Sequence, residues 1–176
     1  MAFNSPYVIP QEGLNYSINI FPKGVNTIPS GGYIGLFTTA WTTITGYSNY
    51  ITLNGAVAGS SVVNEASFAG YARQFVPSGS WGTTTSGTAT ISGTAYVQYC
   101  TTISGYTFTA NASGTVYGIF LASTSVTGVV TSGTGSGTNT PTVFWYAPFS
   151  DLNPVTLASG DSIVITPTWQ FAANAG

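Results

Sequence analysis

Short apolar or alternating runs, each cut off within a few residues by glycine, proline or serine, constrain this chain more than any other feature. A helix needs apolar residues at three- and four-residue spacing over several turns, whereas a strand needs only a period of two over a handful of residues. The clearest run is Ser162–Phe171. There Ile163, Ile165, Pro167, Trp169 and Phe171 fall on one face, and Ser162, Val164, Thr166, Thr168 and Gln170 on the other. Pro167 has no N–H to give to a ladder, so this strand is expected at a sheet edge or bent at that residue.

Similar runs occur at Tyr33–Thr39, Tyr50–Leu53, Glu65–Val76, Thr88–Ser92, Ala95–Ile103, Tyr106–Ala110, Val116–Ala122 and Val143–Phe149. Val116–Ala122 is apolar on both faces and predicts a central strand covered on both sides. Only Glu12–Phe21 predicts a helix, because Leu14, Ile18 and Phe21 keep helical spacing before Pro22 and Gly24 end it. Residues 1–13 predict an extended arm. Pro6 and Pro10 block a helix there, and Phe3, Tyr7, Val8 and Ile9 need a surface to lie on, so these four are the candidate subunit-contact residues. The expected fold is all-β, a two-sheet β-sandwich of jelly-roll type, with the arm at 1–13 and a single domain over 14–176. A chain of 176 residues can bury a core of that size without disulfides or metals.

Charge is scarce. Charged residues make up 3% of the chain, against roughly a quarter in ordinary soluble proteins, so its polar surface must be built from hydroxyls and amides. A formal net charge of −2 opposes self-association weakly, which suits a chain packed against other subunits. Lys23 and Arg73 are its two basic residues, too few for a phosphate-neutralising groove, so nucleic acid is not an expected partner. With no histidine there is no Ser-His or Cys-His pair and no imidazole ligand, and neither a metal nor a cofactor is expected. Cys100 has no second cysteine to pair with, and in its strand-like run it reads as a small buried hydrophobe.

No apolar run approaches the length of a membrane span, so no membrane partner is expected. The opening residues carry no basic leader followed by an apolar core, which predicts synthesis in the cytoplasm without export. In that setting the match of Asn15–Ser17 and Asn111–Ser113 to the glycosylation triplet carries little meaning. Residues 123–141, with Gly133–Gly137 at their centre, predict an exposed loop. It is no phosphate loop, which requires glycines between a strand and a helix, backed by a lysine or a helix N-terminus.

The stretch Glu65–Val76 places the chain's one arginine between aromatics and eight residues after a glutamate. Read as a strand, it puts Tyr71, Arg73 and Phe75 on one face. Arg73 would then lie along an aromatic stripe and pair with Glu65, Asp151 or Asp161, an internal staple more than a ligand site. Glu65 and Asp161 are the leading ion-pair candidates. The four carboxylates, Glu12, Glu65, Asp151 and Asp161, could supply a glycosidase pair. Asp151 and Asp161 read as turn residues, however, and Glu65 has its arginine, so no catalytic residue is assigned and the chain is not read as an enzyme.

In order along nearly the whole chain, Val8–Gly13, Tyr33–Thr39, Glu65–Arg73, Thr115–Phe120, Phe144–Phe149 and Gly160–Thr168 carry a resemblance. The chain resembles small β-rich virion structural proteins of tailed bacteriophages. The resemblance implies a capsid decoration or cement protein, commonly a trimer, that sits on the outer head and bridges neighbouring major capsid proteins. A tail or fibre module whose exposed loops bind a host glycan is the alternative it implies. The chain departs from the group in a longer loop at 123–141 and in its lower charge.

Overall fold

The structure, a computed structural model, describes residues 31–40, 51–54, 61–91, 94–103, 105–128, 143–149 and 153–174. The expected arm with Phe3, Tyr7, Val8 and Ile9, the expected helix Glu12–Phe21, and Asp151 lie outside them. The described residues are mostly strands. They contain no α-helix and a single 3-10 turn, Ser78–Ser80, so the architecture is all-β.

In chain order the strands are β1 (Gly31–Phe37), β2 (Ile51–Leu53), β3 (Ser61–Val63), β4 (Gln74–Pro77), β5 (Thr85–Ile91), β6 (Thr94–Thr102) and β7 (Tyr106–Thr109). They continue as β8 (Gly114–Val116), β9 (Gly118–Ala122), β10 (Val143–Pro148), β11 (Val155–Leu157), β12 (Ser162–Ile165) and β13 (Thr168–Asn174). The largest sheet is antiparallel in the order β10-β9-β1-β4. Smaller groups are β13-β6-β5, β11-β8, β12-β7 and the parallel pair β2-β3.

Strand periodicity gives the main sheet two buried faces. Ile34 and Leu36 of β1, Ile119 and Leu121 of β9, and Trp145 and Ala147 of β10 join one apolar cluster with Val76, Ile103, Phe108, Val116 and Ile165. The intervening residues Phe37, Phe120, Ala122 and Tyr146 join a second cluster with Leu53 and Val63 of the parallel pair. Every residue of β9 is buried, as expected of a strand apolar on both faces. Each large side chain buried this way contributes about 1.5–3 kcal/mol, so the two clusters dominate the stabilisation of the sheet.

Three runs break where the sequence reads them as continuous. Val116–Ala122 divides at Tyr117, whose N–H donates to the Phe37 carbonyl (2.9 Å) and whose carbonyl accepts from Phe149 N (3.0 Å). Ser162–Phe171 divides before Thr168, so β12 pairs with β7 and β13 with β6. Pro167 sits at the break with its carbonyl accepting from Ile103 N (3.1 Å), as a residue without a ladder donor must be accommodated.

The third break matters most. Glu65–Val76 meets β1 at both ends, through β4 and through an isolated bridge between Phe37 and Glu65, while residues 66–73 loop out. Gly70, at φ +85, turns the loop. The face expected to carry Tyr71, Arg73 and Phe75 together is therefore lost: Arg73 is buried, and Phe75, 45% exposed, points away beside Tyr33. Backbone Cys100 lies in β6, opposite Gln170 and Thr85.

Candidate functional site

Leu36 pairs with Ile119 of β9, but the loop at 66–73 leaves it without a strand partner on the β4 side, where one side chain and one loop amide take the partner's place. Leu36 N donates to the Tyr71 hydroxyl (3.1 Å), and the Leu36 carbonyl accepts from Ala66 N (2.9 Å). Gly35 makes room for this arrangement. A Cβ there would overlap Phe120 Cζ and stand 2.6 Å from Tyr71 Oη. Gly35→Ala is therefore expected to cost about 1–3 kcal/mol by overpacking, read as a lower urea midpoint with an unchanged slope.

Behind Tyr71 sits the ion pair. Arg73 Nε donates to Glu65 Oε1 and Nη2 to Oε2, each at 2.7 Å, with the two side chains 0% and 2% exposed. The remaining guanidinium nitrogen, Nη1, donates to the Thr124 carbonyl (2.8 Å), and Cζ lies 5.1 Å from the centre of the Phe120 ring. A planar fork that fills both carboxylate oxygens, a carbonyl and an aromatic face is a task lysine could not perform.

Glu65 gathers donors from four residues in three parts of the chain. Besides Arg73, Oε1 accepts from Tyr71 Oη (2.8 Å), and Oε2 accepts from Asn54 Nδ2 (3.1 Å) and Gly128 N (2.9 Å). Asn54 also takes the Glu65 N–H on its Oδ1 (2.8 Å), and does so from a left-handed backbone (φ +61) that asparagine tolerates. With five donors on two oxygens, the carboxylate has no lone pair directed at solvent.

Burial alone would push the Glu65 carboxyl up. Hydrogen bonds from Arg73 and Gly128 and the guanidinium charge outweigh it and hold the group below its ordinary value of 4.5. Burial first, and then the Glu65 charge, push the Tyr71 phenol far above its usual range, so it remains a donor.

An acid whose folded-state pKa is depressed stabilises fully above its unfolded value and loses that contribution as pH falls through the folded one. Stability attributable to Glu65 is thus expected to be flat above about pH 5 and to fall progressively below about pH 4. Urea midpoints measured across that range check it. Glu65→Gln should abolish the slope, and a midpoint that rises on acidification would contradict the assignment.

Of the acids the sequence offers, Arg73 takes Glu65. Asp161, the other leading candidate, does not join the pair: its Oδ2 accepts from Ala158 N (2.8 Å) in the turn at Gly160, where φ is +92. A carboxylate one residue past a left-handed glycine is well placed to cap its own turn and too committed to reach across the sheet. Asn54, Phe120, Thr124 and Gly128 were not singled out from the sequence. Asn54-Gly55 carries a turn signature, but nothing local to Thr124 or Gly128 marks either as a partner of residues so far back in the chain.

Beside the carboxylate lies a half-open cavity of about 230 Å3, lined by Asn54, Glu65, Ala66, Ser67, Phe68, Tyr71, Thr127 and Gly128. The described residues hold no group of three or more His, Cys, Asp or Glu placed to bind a metal. Fold and site together define an all-β protein whose described arginine and its glutamate are spent on each other inside the core. Compared with known proteins, the chain matches no family model, no curated protein and no solved structure.

Proposed function

We propose that this chain is a structural subunit of a tailed-bacteriophage virion, a decoration protein on the outer head that stabilises contacts between major capsid proteins. The reading takes the fold as a two-sheet β-sandwich of jelly-roll type, assembled as a homotrimer, with the arm at 1–13 reaching a neighbour. Its role is mechanical, without catalysis.

The observation that carries this reading is how the exposed strand surface is satisfied. Where soluble proteins place charges, hydroxyls here pair across strands: Thr102 with Thr168 (2.9 Å), Thr109 with Ser162 (2.8 Å) and Thr115 with Thr156 (3.2 Å). Such a surface can be buried against another subunit without stripping water from ions, the step that makes charged interfaces costly. Phe75 and Val164, 45% and 63% exposed, add apolar contact area. Weak contacts of this kind are sufficient when symmetry repeats them over a shell.

Tailless heads purified from infected cells provide the test. The protein should be present there in fixed ratio to the major capsid protein, and heads lacking it should open at lower temperature. Its absence from such heads would overturn the reading.

A second reading, a tail or fibre module that binds a host glycan, is favoured by the mixed polar and aromatic cavity beside Glu65.

A further inference from the structure

We propose that the cavity beside Glu65 is a binding site for a single neutral pyranose ring. The proposal deepens the glycan-binding reading but does not depend on where in a particle the protein sits.

Size sets the first limit. Pockets for drug-sized ligands occupy roughly 300–1,000 Å3, and this one, at about 230 Å3, accommodates a fragment such as one sugar residue.

Charge sets the second. The Glu65 residue forms part of the lining but its carboxylate is neutralised by Arg73, and that guanidinium is buried, with each of its three nitrogens bonded to Glu65 or Thr124 and its face against Phe120. An anionic ligand would meet a carboxylate with no cation free to receive it, and a cationic one would have to compete with a bidentate arginine. A neutral ligand meets neither penalty.

The lining sets the third. Asn54 has its amide oxygen and one amide hydrogen committed to Glu65, so the inner polar wall is largely fixed. Ser67 and Thr127 also line the cavity; both are exposed, and their hydroxyls have no hydrogen-bond partner among the described residues. A hydroxyl can donate or accept by rotation, which suits sugar hydroxyls of either sense. The half-exposed ring of Phe68 also lines the cavity; it packs in an edge arrangement with Tyr71 (centroids 5.5 Å apart) and gives an apolar surface for the C–H face of a pyranose. A ligand that is hydroxylated at its edge and apolar on its face matches this pairing.

The inner side of the site is tied down by hydrogen bonds. The Gly128 N–H bond to Glu65 and the Arg73 bond to Thr124 hold the 124–128 segment against the sheet, so little ordering remains for the ligand to impose.

Titration of the full-length, 15N-labelled chain with methyl glucoside, methyl galactoside, methyl mannoside and N-acetylglucosamine tests the proposal. At least one should shift the amide signals of Ser67, Phe68 and Gly128 saturably, with half-saturation on the order of millimolar for so small a ligand. Ser67→Ala/Thr127→Ala removes two exposed hydroxyls, so it should melt like the parent and weaken binding about tenfold or more. Phe68→Leu should weaken it too, while keeping aliphatic bulk. Glucuronate should bind less tightly than the neutral sugars.

No saturable shift with any neutral sugar, undiminished binding in the double variant, or tighter binding of glucuronate would each overturn the proposal. Saturable binding by a protein found in tailless heads would keep the sugar site and remove the fibre reading, so the two fail separately.

Discussion

Replacing Arg73 with alanine is expected to lower the unfolding free energy by about 3–5 kcal/mol, the usual penalty for leaving one member of a buried ion pair without its partner. For a chain of this length that corresponds to a fall in melting temperature of about 6–20 °C. The cost is large because the loss is not confined to one contact. Glu65 would keep its burial while losing two 2.7 Å charge-assisted bonds, and the Thr124 carbonyl would lose its donor as well. Arg73→Lys should recover only part of the loss, since a point charge cannot fill both carboxylate oxygens and also reach Thr124. Calorimetry on the three proteins decides it. Melting of Arg73→Ala at the parent temperature would mean that the side chain is not buried at all.

The second large effect is expected at Phe120→Ala, at about 3–5 kcal/mol. Phe120 is fully buried in β9, its ring centre 6.2 Å from that of Tyr146 on one side and 5.1 Å from the Arg73 guanidinium on the other. Removing it opens a cavity under the ion pair as well as in the second apolar cluster. The two substitutions should therefore be non-additive, with a coupling of about 0.5–3 kcal/mol in a double-mutant cycle, as for residues in direct contact. Strict additivity in chemical denaturation would show that the ring does not support the guanidinium.

These two residues also mark what the sequence makes legible. Scarcity of charge singles out Arg73, because in a chain with so few acids a buried arginine has few possible partners. Phe120 is legible only as a core residue of Val116–Ala122. That its ring underlies Arg73 depends on β9 and the 66–73 loop meeting in space, which local spacing does not encode. Strand identity is legible where the period of two is kept, as in β12, since burial on alternate faces writes that period directly.

Continuity of strands was less legible. Glu65–Val76 scans as one strand because its residue types suit one, yet Tyr71 replaces a ladder partner with its hydroxyl and lets the backbone leave the sheet. The parallel pairing of β3 with β2 is not legible in the sequence, since Ser61–Val63 is too short to stand out from its surroundings. The node formed at Glu65 by Asn54, Tyr71 and Gly128 belongs to the same class. Each partner is ordinary in its own segment and becomes particular only when the chain is folded.

We propose that the sparsely charged, hydroxyl-paired β surface serves assembly into a shell. Electron cryomicroscopy of intact particles carrying this protein with a C-terminal label addresses it most directly. Label density is expected on the outer face of the head, repeated at symmetry-related positions between major capsid proteins. Density confined to the tail, or heads with no label at all, would contradict it.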